Sequence, residues 1–268
     1  MYDKLRAPRF KATAERWRVL SGRIDPNVVG GLDDLVGLPT KRKLLAYGSG
    51  YFEARADEEV RTTVGRLAIR TFARSLEVVE GAGASRHAGS NVSSLLLSYD
   101  AVYLAASTLV LLCGYAPVGR DSEVCVDIFY TSAQRRIALE DTYAFFVLNR
   151  WSHDVVWKLC KRIIRTIDAP CEIKEHLRIL RSDKLDKVSQ RRNSQIYDQA
   201  KLYAGDDELH SDFPTLKPVL DASWAVDRYR TIFLALSKIN WQLVALADME
   251  RHLAKLANAQ RRKVCAVR

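Results

Sequence analysis

From Glu53 to Glu80 the chain sets Val60, Val64, Leu67, Phe72, Leu76 and Val79 mostly three or four residues apart, the spacing of one face of an α-helix. A stripe of that length has to be buried against other elements, so it sets the class of fold. The acids Glu53, Asp57, Glu58 and Glu59 open the stretch, as the positive end of a helix dipole favours, and the glycine-rich GAGASRHAGS at 81–90 is expected to stop it. A second helix is predicted over 91–112, closed by Gly114 and Pro117. Helical patterning resumes from Ser122 to Ile167 with a break near Ser152. A short helix follows Ala169-Pro170 through about Leu180, and another runs from the N-cap candidate Ser182 to about Tyr203. The last starts at Pro214 or Pro218, runs to about Ala259, and carries Trp224, Tyr229, Phe233, Leu236, Ile239 and Leu243 along one side. An N-terminal helix over roughly residues 4–20 is joined to the body by 21–50, which holds six of the 13 glycines. No strand alternation competes with this pattern, and the predicted fold class is all-α.

Composition narrows the setting. With 48% hydrophobic and 28% charged residues the chain is a folded globular protein, not a disordered one. Cys113, Cys125, Cys160, Cys171 and Cys265 are odd in number, widely spaced and free of any C-x-x-C pair, as in a reducing compartment. The charged N-terminus lacks the apolar core of a secretory signal, so a cytoplasmic location is expected. The longest apolar stretch, Ala101 to Ala116, falls short of the roughly 20 residues of a membrane span, and a buried helix without membrane contact is expected there.

The formal charge of +10 is unevenly placed. Residues 1–50 hold ten Lys+Arg against five acids, and residues 251–268 hold six against none. In the near-neutral remainder one segment, 158–192, is basic. Its Lys158, Lys161, Arg162, Arg165, Lys184, Lys187 and Arg191 are candidate nucleic-acid contacts. A solvated basic helix face is the plainer account of the same residues.

Enzyme signatures are scarce. The chain has no phosphate-binding loop, no H-E-x-x-H and no G-x-S-x-G, and its five histidines show no ligand spacing, so neither a metal nor a cofactor is expected. Each histidine reads as a surface or helix-end residue. Ser152-His153-Asp154 has the residue types of a triad, but three consecutive helical residues point in three directions. The segment KLDKVSQRRNSQIYDQAKLY is the exception. Taking about 100° per residue, Leu185, Val188, Ile196 and Tyr203 form one apolar stripe with Arg192 inside it. A buried arginine needs an acid partner, a polar groove or a subunit interface. Asn193 and Tyr197, four residues apart, flank it.

Two of these segments resemble the HEPN superfamily of small helical bundles. Ser98-Tyr99-Asp100-Ala101-Val102-Tyr103-Leu104-Ala105-Ala106, running on to Leu111-Leu112-Cys113-Gly114-Tyr115, is similar to the family's S-Y-x-A-x-x-x-A-A-x-x-L-L helix and its glycine turn. Arg192-Asn193-Ser194-Gln195-Ile196-Tyr197 is similar to its R-N-x-x-x-H motif, with tyrosine in place of histidine. The resemblance implies a HEPN-like helical domain over 51–250, with a basic N-terminal segment, 1–50, and a basic tail, 251–268. It further implies an RNA-directed protein of bacterial toxin or defence type, a homodimer about 184–203 with a cognate antitoxin or complex partner. Metal-independent cleavage would follow from attack of the 2′-hydroxyl on the neighbouring phosphate, with Arg192, Asn193 and Tyr197 as the catalytic set. A phenol is only about 0.1% ionised at neutral pH, so Tyr197 is a poor base that still donates hydrogen bonds, and full activity is not expected. The alternative is a non-catalytic interaction or scaffold subunit that presents its long helices to another protein.

Overall fold

The computed structural model describes residues 8–20, 23–24, 32, 51–55, 58–118, 124–129, 142–147, 151–182, 185, 193 and 217–237. In order these form α1 (Phe10–Leu20), β1 (Tyr51–Arg55), α2 (Glu58–His87), α3 (Asn91–Leu112), β2 (Tyr115–Val118), β3 (Val124–Asp127), β4 (Thr142–Val147), α4 (His153–Thr166), α5 (Cys171–Ser182) and α6 (Lys217–Ser237). The described chain is mostly helical, as the periodicity predicts.

Helices α2 and α3 form the centre. Val60, Val64 and Phe72 of the predicted stripe are buried, with Leu67, Leu76 and Val79 packed against the core. Near the start of α2 two elements meet at Gly65. A Cβ there would lie 2.4 Å from Ile24 Cδ1 and 2.9 Å from Trp17 Cζ3, so only a glycine lets α1 and the following segment close onto α2. The Trp17 indole Nε1 donates at 2.7 Å to the carbonyl of Leu112, which answers one of the unpaired carbonyls at the end of α3. Helix α6 adds Tyr229, Phe233 and Leu236, all buried, and the Phe233 ring stacks on Phe72 at 5.1 Å.

By length and composition α3 is apolar enough to cross a membrane, but 72% of its apolar window is buried against the rest of the chain. Its apolar surface is therefore used internally, the buried-helix expectation.

Three expectations are corrected. Helix α2 does not stop at Gly81 but continues through Gly81 and Gly83 to His87. It ends at Gly89, whose φ is +78°, where Ser90 N–H donates to Ser85 C=O and Gly89 N–H to Arg86 C=O. That pair of bonds is the Schellman closure, and it needs the left-handed conformation that glycine adopts without strain. Nor is the stretch from Ser122 to Ile167 helical throughout. It contains β3 and β4, which join β1 and β2 in an antiparallel four-stranded sheet of order β1-β4-β3-β2. Tyr51 pairs with Phe146, Val124 with Val147 and Tyr115 with Asp127. The expected helix start at Glu53 is thereby displaced to Glu58, because residues 51–55 are committed to the sheet. Pro117, lacking an N–H, lies in β2 at one edge of the sheet.

Candidate functional site

Helix α4 carries the first part of the basic segment. Ser152 caps it, its hydroxyl accepting from Val155 N–H. Val155, Val156, Trp157, Leu159, Cys160 and Ile163 are buried, which leaves Lys158, Lys161, Arg162 and Arg165 on the opposite side of the helix. Lys158 is exposed and paired with Asp154 at 2.7 Å, Lys161 and Arg162 are half-buried, and Arg165 is exposed in the last turn. On α5, Lys174 and Arg181 are exposed, as is Arg178, paired with Glu175 at 2.6 Å. Lys184, Lys187, Arg191, Arg192 and Tyr197 lie outside the described residues. Leu185, the first residue of the apolar stripe, is buried, and Asn193 is helical and exposed.

The structure adds something the order of residues conceals. Phe10 N–H donates at 2.9 Å to Asp168 C=O, and Asp168 N–H returns a bond to Pro8 C=O, so Arg9 and Asp168 form a parallel bridge. The start of α1 is thus stitched onto the corner between α4 and α5. That pairing sets exposed Arg9 and Lys11 beside the segment that carries exposed Arg165, Asp168, Glu172 and Lys174. Together residues 8–20 and 153–182 hold eleven Lys+Arg against five Asp+Glu.

A second arrangement lies at the other end of α4. Tyr99, fully buried on α3, places its hydroxyl 2.8 Å from His153 Nδ1 and 3.4 Å from the donating Trp157 Nε1. The exposed His153 ring stacks on Tyr103 with centroids 4.0 Å apart and planes 23° off parallel. Burial pushes the Tyr103 phenol above its usual range, against a hydrogen bond to Ser107 that pulls it down, so it stays neutral. Ser98, the first residue of the motif on α3, is buried, and its hydroxyl has no hydrogen-bond partner among the described residues. The triad types at 152–154 separate as expected: Ser152 caps, Asp154 pairs with Lys158 and His153 meets Tyr99. Sequence reasoning set His153 aside as a helix-end residue. Two matched i,i+4 pairs, Tyr99/Tyr103 and His153/Trp157, were the pattern that marked it.

A third group ties α1 to the sheet. Arg16 Nη1 donates at 2.9 Å to Phe129 C=O and lies 5.3 Å over that ring, with Asp127 and Arg61 close enough to act on its charge. Asp127 accepts from Phe129 N–H at 3.0 Å. Asp127 and Arg61 are buried and Arg16 is half-buried, and their contacts are structural.

Among the described residues no group of three or more His, Cys, Asp or Glu is placed to hold a metal ion. No family model, no curated protein and no solved structure matches the chain.

Proposed function

We propose that the chain is an RNA-directed protein of HEPN type that binds RNA along the basic face of α4 and the α1–α5 corner. On this reading Arg192 contacts phosphate, Asn193 and Tyr197 support it, and the protein acts in the cytoplasm as a homodimer about 184–203 with a cognate partner. The observation that carries it is the stitch between Pro8–Phe10 and Asp168. It draws two basic segments about 160 residues apart in sequence together, where exposed Arg9, Lys11, Arg165 and Lys174 outnumber exposed Asp168 and Glu172. A solvated helix face gains nothing from collecting like charges, whereas a polyanion site depends on it.

The test is fluorescence-anisotropy binding of single-stranded RNA over a salt series, with EDTA present. The wild type should bind with a steep salt dependence. A quadruple reversal, Arg9→Glu, Lys11→Glu, Arg165→Glu and Lys174→Glu, should weaken binding and flatten the log–log slope by about 3, at roughly 0.7 per lost phosphate contact. Wild-type protein indifferent to RNA at low salt returns the chain to an interaction subunit.

A further inference from the structure

From Val60 to Arg66 every residue of α2 is buried, seven in a row. At about 100° per residue such a run covers the whole circumference of the helix, so its polar side chains have no water-facing side to occupy. Thr62, Thr63 and two arginines are enclosed with the apolar residues, and Arg66 is only 7% exposed. A guanidinium taken out of water keeps its charge, so it needs an anion beside it. The other buried arginine, Arg61, lies with Asp127 around Arg16. Asp127 is the one buried acid among the described residues, and it also accepts from Phe129 N–H.

Arg66 has no such neighbour. Its one hydrogen bond among the described residues runs from Nη2 to the Thr63 hydroxyl, and its Nε is enclosed without an acceptor. The residues one turn away from it on the helix are Thr62, Thr63, Ile69 and Arg70, of which none is acidic and one is a second cation. Glu59, the acid on the same face, is exposed and two turns back, about 10 Å along the axis. Thr63 does not answer the charge either. Its oxygen accepts from Arg66, which leaves its own O–H as one more donor. The group is therefore all donors and positive charge, the converse of a buried salt bridge.

We infer that the first turns of α2 form a binding site for a small oxyanion of the phosphate type, received by the Arg66 guanidinium and the Thr63 hydroxyl. The planar fork of a guanidinium matches two oxygens of such an anion, and the threonine O–H matches a third. Arg70, exposed one turn further along the same face, raises the positive potential through which an anion approaches. Enclosure sets the size of the ligand. A side chain with 7% of its surface exposed can meet a free anion, but not the continuous backbone of a nucleic-acid strand. The site shares no residue with the proposed RNA face and stands whether or not that reading holds.

The experiment uses inorganic phosphate as the probe. Thermal unfolding of the full chain is followed in up to about 10 mM phosphate, with chloride holding the ionic strength constant, for wild type, Arg66→Met and Thr63→Val. Isothermal titration calorimetry measures phosphate binding to each folded protein directly. Methionine keeps much of the arginine stem's packing and removes the charge. The wild-type Tm should rise by about 3 °C across the series, and that of Arg66→Met should stay flat. Thr63→Val should bind phosphate roughly threefold or more weakly. A wild type that neither binds phosphate nor gains stability from it overturns the inference and leaves the RNA reading untouched. A rise of the same size in Arg66→Met is the general stabilising effect of phosphate as a salt, and it overturns the inference too. Should Arg66→Met not fold, Thr63→Val decides, and an unchanged phosphate affinity there is the overturning result. Single-stranded RNA should not compete with phosphate. Competition would place Arg66 on the RNA face and overturn the assignment to a small anion.

Discussion

Trp17 and Gly65 show how much of this fold rests on single side chains. The indole is almost wholly buried, spans from α1 to the end of α3 through its bond to Leu112 C=O, and meets the Phe129 ring edge-on at 5.3 Å. Trp17→Phe keeps the ring packing but leaves a buried carbonyl unanswered, so it should cost about 1–3 kcal/mol in urea unfolding. Gly65→Ala drives a methyl against Ile24 and Trp17. Ile24 can swing its terminal methyl away, but the indole is fixed by its hydrogen bond, so a loss of about 1–3 kcal/mol is expected in the same assay. At this scale the sequence was only partly legible. An N-terminal helix tied to the body was foreseen, yet nothing in the spacing of α2 distinguishes Gly65 from a surface glycine, because its role is set by a residue 48 positions away. His153 was hidden for the same reason: its partner is 54 positions earlier, on another helix.

At the scale of elements, the helices were read well because their apolar positions recur every three or four residues, and this survives whatever they pack against. The strands were not, for a physical reason. All four residues of β3 are buried, Val124, Cys125 and Val126 at 0% exposure and Asp127 at 6%, so its sequence has none of the polar/apolar alternation of a half-covered strand. A short apolar run covered on both faces looks the same as a piece of buried helix. The helix α2 ends inside the glycine-rich stretch 81–90, but past its first two glycines, because Gly81 and Gly83 are helical and of the three only Gly89 turns left-handed. These glycines should therefore respond in opposite ways. At Gly83 a Cβ meets nothing within 4 Å, so Gly83→Ala should stabilise by about 0.4–1 kcal/mol. At Gly89, with φ +78°, Gly89→Ala should destabilise by about 1–2 kcal/mol, even though the space is equally open. Paired urea melts of the two variants decide where the helix ends. Two losses of similar size would put the stop back at Gly81.

Across the described residues, backbone pairing brings the basic start of α1 to the corner between α4 and α5, while the interior contains titratable groups of its own. Cys113, Cys125 and Cys160 are buried free thiols. Burial pushes Cys160 up to about 12, partly opposed by its hydrogen bond to Tyr229, and it raises Cys113, Cys125 and Tyr229 as well. A thiol in the unfolded chain loses its proton near pH 8.5. Below that pH both states hold the proton, and the stability that these thiols contribute is fully present. Above it only the unfolded state releases protons, so stability falls as pH rises, until the folded thiols titrate as well. By pH 10 each buried thiol should have removed roughly 2 kcal/mol, with Tyr229 adding to the loss at higher pH. Urea unfolding between pH 7.5 and 10.5 should therefore show a plateau followed by a steep alkaline decline. Cys160→Ala should be less stable on the plateau yet decline by about 2 kcal/mol less at pH 10. An equal decline in wild type and variant would mean that the Cys160 thiolate is as well accommodated folded as unfolded, and the buried site inferred for it would be wrong.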